Sequence, residues 1–275
     1  MPKPEASRLP GLLRPDWPAP YGVHALFTSR AGGSSLPPFD SLNLGDHVGD
    51  EPAAVAANRA ALADALQARP VFLHQVHGTE VAAIDAHTPD ATVADGCLTE
   101  ARGVACTVMV ADCLPVLFAL KDRPVVAAAH AGWRGLLGEA GRGVLEASFD
   151  ALVQAAQRAD ALATRDTVAA DTLVWLGPCI GPTAFEVGPE VREAFVATDP
   201  GAVACFVDQP GGKYLADLPA LARRRLRALG ISTVYGNDGS DPWCTVSQSA
   251  TFFSHRRDAG RLGSSGRMAA CIWIA

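Results

Sequence analysis

Two apolar runs between Thr107 and Gly135, TVMVADCLPVLFALKDRPVVAAAHAGWRG, carry polar residues of a kind that core strands seldom hold. Asp112 and Cys113 interrupt the first run in the middle of Val, Leu and Phe. His130 closes the second, just before a Gly-Trp-Arg-Gly turn. Upstream, HQVHGTEV adds His74 and His77. A single strand cysteine is ordinarily a small buried hydrophobe, and a single His beside a Gly is ordinarily held by a hydrogen bond. The set says more than any member, because each residue sits at the end or edge of an apolar strand beside turn residues, where side chains can converge at a sheet rim. Two neutral imidazoles and a thiolate are zinc ligands, and three protein ligands leave a fourth position for water. Zinc also accounts for a thiolate among apolar neighbours, where a free thiol has a raised pKa.

The same residues support two other readings. Cys113 can act as a nucleophile with His130 as its base, the turn after His130 supplying backbone donors. Two His and one Cys also resemble a blue-copper set. Copper is the less favoured metal: the chain has seven His, no H-x-H pair, and Met109 and Met268 as internal axial candidates, so a multi-copper oxidase would lack imidazoles.

Other segments offer binding groups. FTSRAGGSS presents Arg30 beside Gly32 and Gly33, suited to an anion and equally to a solvent-facing turn. SLNLGDHVGD carries Asn43 and His47, and Arg134 follows Trp133 directly after His130, which aims it at the same cleft. GPCIGPTAFEVGPEV is a Pro/Gly-locked loop leading into a helix, with Cys179 a loop thiol and Glu186 and Glu190 surface or cap residues. TFFSHRRDAGRLGSSGRMAACIW places Phe252, Phe253, His255, Arg256, Arg257 and Arg267 near a terminal strand. Aromatics beside Arg can stack a planar ring and bind phosphate, or form core with solvated charge.

The chain that must position these residues has 275 of them, the length of one large domain, and 49% are apolar, which excludes global disorder. Its net charge of −6, with no basic run, argues against a nucleic-acid surface. No stretch reaches the roughly 18 uninterrupted apolar residues of a membrane helix. The Pro-rich start, MPKPEASRLPGLLRPDWPAPYG, lacks the long apolar core of a signal peptide and reads as a partly ordered arm, so a cytoplasmic location is expected. Seven cysteines, odd in number, widely spaced and without a C-x-x-C pair, indicate reduced thiols.

Short β-branched or apolar segments bounded by Gly, Pro or Asp predict strands at VHALFTS (Val23 to Ser29), VFLH, TEVAAID, VACTVMV, LPVLFAL, PVVAAAH, TLVWLG, ISTVYG and MAACIWI. Helices are predicted after Asp50, where Val55, Leu62 and Leu66 share a face, and after Asp217, ending at Gly230. A long Ala-rich helix is predicted from Gly138 to about Ala163, weakened at its start by Gly141 and Gly143. Many strands with few intervening helices imply an α+β fold, mixed sheets covered by helices, with no Rossmann or P-loop fingerprint.

TSRAGGSS, SLNLGDHVGD, HQVHGTEV, ADG, ADCLPVLF, AAHAGWRGL, WLGPCIGPTAFEVGPEV, YLADLPALARRRL, FFSHRRD and GRMA, in this order, resemble the YfiH-type laccase-domain family, often labelled polyphenol oxidases. The resemblance runs from about Pro18 to Ala275, which implies one catalytic domain over residues 18–275 behind an arm of residues 1–17. It implies an α/β/β/α sandwich shared with certain Cys-His toxin deamidases. It also implies zinc held by His77, Cys113 and His130, with His74 supporting the strand end. The implied activity is phosphorolysis of adenosine, inosine or methylthioadenosine to free base and ribose 1-phosphate, accompanied by adenosine deamination. Some bacterial members are instead linked to hydrolytic editing of peptidoglycan precursors that carry a wrong amino acid. Asp112 is then the nearest acid/base candidate beside Cys113 and His130, and Arg30, Arg134 or Arg257 are candidate phosphate holders, with Asn43 and Phe253 as further substrate contacts. The expected partners are a purine nucleoside and phosphate, bound by a monomer or homodimer. His255 after FFS, where other members can carry Tyr, and the longer AGRLGSSGRM depart from the pattern near the C-terminus.

Overall fold

Val104–Val110 and Leu114–Leu120 are buried at every position, which requires a sheet covered on both faces. The structure, a computed structural model, describes residues 9–275. In chain order its strands are β1 (Val23–Phe27), β2 (Arg69–His74), β3 (Val81–Ala83), β4 (Thr92–Val93), β5 (Gly96–Thr99), β6 (Val104–Val110), β7 (Leu114–Leu120), β8 (Val126–Ala131), β9 (Thr172–Leu176), β10 (Glu186–Val187), β11 (Phe206–Gln209), β12 (Lys213–Ala216), β13 (Thr233–Gly236) and β14 (Met268–Ile274). The helices are α1 (Pro52–Leu66), α2 (Trp133–Leu137), α3 (Val144–Ala159), α4 (Arg165–Asp171), α5 (Pro189–Thr198), α6 (Leu218–Ala228) and α7 (His255–Leu262).

Five strands form one sheet in the order β1-β14-β6-β2-β4 and six form a second, β13-β9-β7-β8-β5-β3; β10, β12 and β11 make a small third sheet. Both large sheets are mixed. In the first, β14 is antiparallel to β1 and β6 while β2 runs parallel to β6. In the second, β7 lies antiparallel between β8 and β9 while β13 runs parallel to β9.

Because successive strand side chains point to opposite faces, each sheet contributes to two cores. Cys106 and Val108 of β6 and Ala270 and Ile272 of β14 meet Leu117 and Ala119 of β7 between the sheets. On the outer face of the first sheet, Ala105 and Met109 pack with Leu62 and Leu66 of α1. On the outer face of the second, Val116 and Phe118 pack with Phe149 and Leu152 of α3 and Leu221 of α6. Phe149 is wholly buried there, and truncating such a residue to Ala costs about 3–5 kcal/mol. The layers run helix, sheet, sheet, helix: a single mixed α+β domain, as expected.

Several boundaries differ from those predicted. The long helix does not begin at Gly138. Gly138 has a φ of 65°, and a Cβ there would meet the Arg142 carbonyl, so residues 138–143 form a turn and α3 starts only at Val144. Glu146 then caps the helix by accepting from the Gly143 N–H at 2.7 Å. It ends at Ala159, ahead of the separate α4. β1 stops at Phe27 and TEVAAID contributes three residues. Residues 1–8 of the Pro-rich arm lie outside the described residues. From Leu9 the chain is docked: Leu9 is buried, Leu13 pairs with Phe27, and Trp17 packs against the inter-sheet core. Among the described residues, no helix is long and apolar enough to cross a membrane.

Candidate metal centre

Asp112 and Cys113 lie between strands rather than within one, forming the turn from β6 to β7. Asp112 has a φ of 90°, a conformation that residues other than glycine seldom adopt. Its carboxylate accepts from the Thr245 hydroxyl and from the Arg256 backbone N–H, each at 2.6 Å, and its carbonyl accepts from the Ile180 N–H at 2.9 Å. Both carboxylate oxygens thus hold the turn and present Cys113 at the rim. This engagement leaves Asp112 a poorer candidate for moving protons than its position beside Cys113 suggests.

His130 sits near the end of β8, opposite Pro115 of β7. His77 lies in the turn after β2, with a φ of 61°. Asp95, wholly buried, joins the two histidines. It accepts from His130 Nδ1 at 2.8 Å and from the backbone N–H groups of Val76 (3.1 Å), His77 (2.9 Å) and Gly78 (2.6 Å). Burial pushes its pKa up, but the His130 hydrogen bond and charge and the backbone donors outweigh burial and hold it below the usual carboxylate value. One carboxylate therefore fixes the His130 ring, leaving Nε2 to face the cleft, and stabilises the left-handed backbone at His77.

Cys113 Sγ lies 3.7 Å from His77 Nε2, and the donor atoms of His77, Cys113 and His130 all fall within 4.8 Å of one another. For a tetrahedral zinc with typical Zn–S and Zn–N bonds, adjacent S and N ligands stand about 3.5 Å apart. The donor set fits that ion. Gly132 is part of the fit, since a Cβ there would lie 2.9 Å from His77 Cδ2 and 3.0 Å from Cys113 Sγ. Burial alone would raise the Cys113 thiol, but the charge and hydrogen bonds of His130 and His77 bring it down to about 6. Burial likewise disfavours a charged His130, and the Cys113 thiolate together with Asp95 reverses that, raising it to about 9. As a coupled pair, the thiol gives up its proton and the imidazole keeps one.

The three residues line a cavity of about 380 Å³, together with Trp133, Arg134, His47, Gln75, Met109, Phe185, His255, Arg256 and Arg267. Arg134 is exposed and lies over the Trp133 ring at 4.4 Å. The other expected substrate contacts lie outside this lining. Arg30 is paired with Asp40, bonded to the Asp40 and Ser249 carbonyls, and laid over the wholly buried Phe253. Arg257 donates to the carbonyls of Thr245, Val246 and Phe252 and to Asp258. Asn43 is wholly buried, bonded to Gly45, Asp50 and the Arg267 backbone. These four residues build the walls behind the cleft. His74 is exposed at the end of β2, apart from the donor set. Sequence reasoning gave Asp95 no role, although it lies in the ADG segment of the family resemblance, and it named His47 and Arg267 among the candidate binding groups without assigning either to the cleft.

A layered α+β domain with a Cys-His-His set at the strand ends of its facing sheets defines a laccase-like class, and a profile described as "Multi-copper polyphenol oxidoreductase laccase" matches residues 24–275. The chain belongs to this family. It is 46% identical over 265 residues to "Purine nucleoside phosphorylase YfiH" of Escherichia coli K12, covering 96% of this chain and 98% of that protein. It is also 46% identical to "Purine nucleoside phosphorylase PA4543" of Pseudomonas aeruginosa over 263 residues, 95% of this chain and 98% of that one. Among solved structures it resembles the Neisseria meningitidis protein NMB0706, with a TM-score of 0.81 and 42% identity, over 96% of this chain and 99% of that one. It also resembles YlmD from Geobacillus stearothermophilus, with a TM-score of 0.81 and 32% identity, over 98% and 97% of the two chains.

Proposed function

We propose that this chain is a purine nucleoside phosphorylase whose cleft is built on one zinc, held by His77, Cys113 and His130, and that it also deaminates adenosine. The observation that carries the reading is the agreement between end-to-end relatives named purine nucleoside phosphorylase and a small-molecule cleft ending on a three-donor set. A zinc ion bound there supplies Lewis acidity, which makes water a nucleophile near neutral pH, as deamination requires. The protein's own part is to place the reactants. Trp133 and Phe185 give the cleft aromatic surface for a purine ring, arginines on its walls attract an anion, and Asp95 keeps a proton on His130 Nδ1 so that Nε2 stays turned to the site. Copper is less well matched: the described residues form a single His-Cys-His group, and a multi-copper cluster needs more imidazoles.

One observation favours a second reading. Cys113, His130 and Asp95 stand in a row as depressed thiol, imidazole and orienting carboxylate, the arrangement of a cysteine nucleophile with its base. Such a site would hydrolyse an amide in a cell-wall precursor carrying a wrong amino acid. Incubation with adenosine and with a serine-bearing muramyl precursor, each with and without phosphate, separates the two. The expected result is adenine plus ribose 1-phosphate only when phosphate is present. Phosphate-independent cleavage of the precursor with no adenine would overturn the first reading.

A further inference from the structure

We propose that Arg267 is the residue that holds inorganic phosphate in the cleft, and that the Asn43–Gly45 loop exists to seat it; the proposal rests on the phosphorylase reading. Arginines 134, 256 and 267 reach the cleft wall. Arg256 is engaged, its Nη1 and Nη2 donating to the carbonyls of Ala184 (3.5 Å) and Glu186 (3.1 Å). Arg134 is exposed and rests on Trp133. Arg267 is more enclosed. Its Nη1 donates to the Ser265 and Gly266 carbonyls at 2.7 and 3.2 Å, while Nε and Nη2 have no hydrogen-bond partner and no carboxylate lies in ion-pair range among the described residues. Among the described residues the only carboxylate on the cleft wall is Asp112, and both of its oxygens are occupied.

The seat is built from one motif. Asn43 Oδ1 accepts from the Arg267 N–H at 2.8 Å, the Leu44 N–H donates to the Arg267 carbonyl at 3.0 Å, and the arginine stem lies on Gly45, where a Cβ would stand 2.7 Å from Cγ. Asn43 is itself tied to Asp50 at 2.9 Å. A half-buried guanidinium with open donors, fixed at the base of β14 between β1 and β6, with Cys113 and Asp112 as negative neighbours but neither within ion-pair distance, leaves room for an anion from solution. Its planar fork matches phosphate oxygens two at a time. His47, exposed on the same wall, offers a further donor. In the reaction this phosphate serves, a phosphate oxygen bonds to the anomeric carbon, the bond from that carbon to the purine nitrogen breaks, and the base leaves with the electron pair and takes up a proton.

The test has two arms. In steady-state phosphorolysis of adenosine by the metal-loaded enzyme, Arg267→Gln should raise KM for phosphate roughly ten- to hundredfold, the loss of a charge-assisted hydrogen bond, with KM for adenosine nearly unchanged. Gly45→Ala, which displaces the arginine without removing its charge, should shift KM for phosphate the same way by a smaller factor, and it carries the test should the glutamine variant fail to fold. In the second arm, inorganic phosphate is titrated calorimetrically into each protein without nucleoside. Phosphate binding that needs Arg267 in a wild type that releases no adenine would leave the anion site standing and sink the phosphorylase reading. Phosphate-dependent adenine release with an unchanged KM for phosphate in Arg267→Gln would sink the assignment and leave the function standing. No phosphate binding by the wild type would overturn the assignment.

Discussion

Two thiols at neighbouring strand ends, Cys113 and Cys179, show how the cleft differs from the scaffold behind it. They lie on either side of the same contact, where the Ile180 N–H donates to the Asp112 carbonyl. Cys179 is wholly buried, accepts from Asn237 Nδ2 at 3.3 Å, and has carboxylates for charged neighbours. Burial, then Asp217 and Asp112, push it well above an ordinary thiol. Burial acts on Cys113 in the same direction, yet two imidazoles bring it down to about 6. Both residues follow an apolar strand in a loop of turn residues, but Cys113 is only partly buried where Cys179 is wholly buried, so charged neighbours together with access separate a reactive thiol from an inert one.

The widest contrast should appear in alkylation of metal-stripped protein by iodoacetamide, with peptide mapping. Because the Cys113 pKa is depressed, its thiolate prevails above about pH 6 and its reactivity falls as pH drops through that value. At pH 7 Cys113 should be modified rapidly and Cys179 barely at all. Equal rates at the two sites, or a Cys113 midpoint near that of a free thiol at about 8.5, would break the comparison.

A smaller effect sharpens the role of Asp95, the group that both histidines share and that the Cys179 surroundings lack. Asp95→Asn removes the charge that faces three backbone N–H groups and His130. Competition with a chromophoric zinc chelator should show affinity lowered by about 10- to 100-fold, the usual cost of losing such a partner. Unchanged affinity would mean that the histidines hold their places without it.

Cys113 and His130 were legible because they sit at the ends of apolar runs, where strand ends on facing sheets meet at a rim, whereas the choice of His77 over His74 came from the family resemblance, since it is His74 that ends VFLH. The conformations that aim two of these segments were not legible. His77 and Asp112 adopt left-handed backbone without being glycine, and only contacts with Asp95, Thr245 and Arg256, distant in sequence, account for it. The same distance hid the fate of Arg30 and Arg257, whose apparent freedom ends on loop carbonyls such as that of Ser249, which local spacing does not encode. The long apolar strands were read correctly from composition. β5 was missed because GCLT is short, and β11 and β12 because an exposed polar hairpin carries little periodic signal.

The central claim is that His77, Cys113 and His130 together hold one zinc, and X-ray absorption at the zinc edge tests it most directly in the wild type and in Cys113→Ala. The account predicts one sulfur scatterer at about 2.3 Å with nitrogen or oxygen scatterers at about 2.0–2.1 Å in the wild type, and no sulfur in the variant. A wild-type shell of nitrogen and oxygen alone, or sulfur retained in Cys113→Ala, would contradict it.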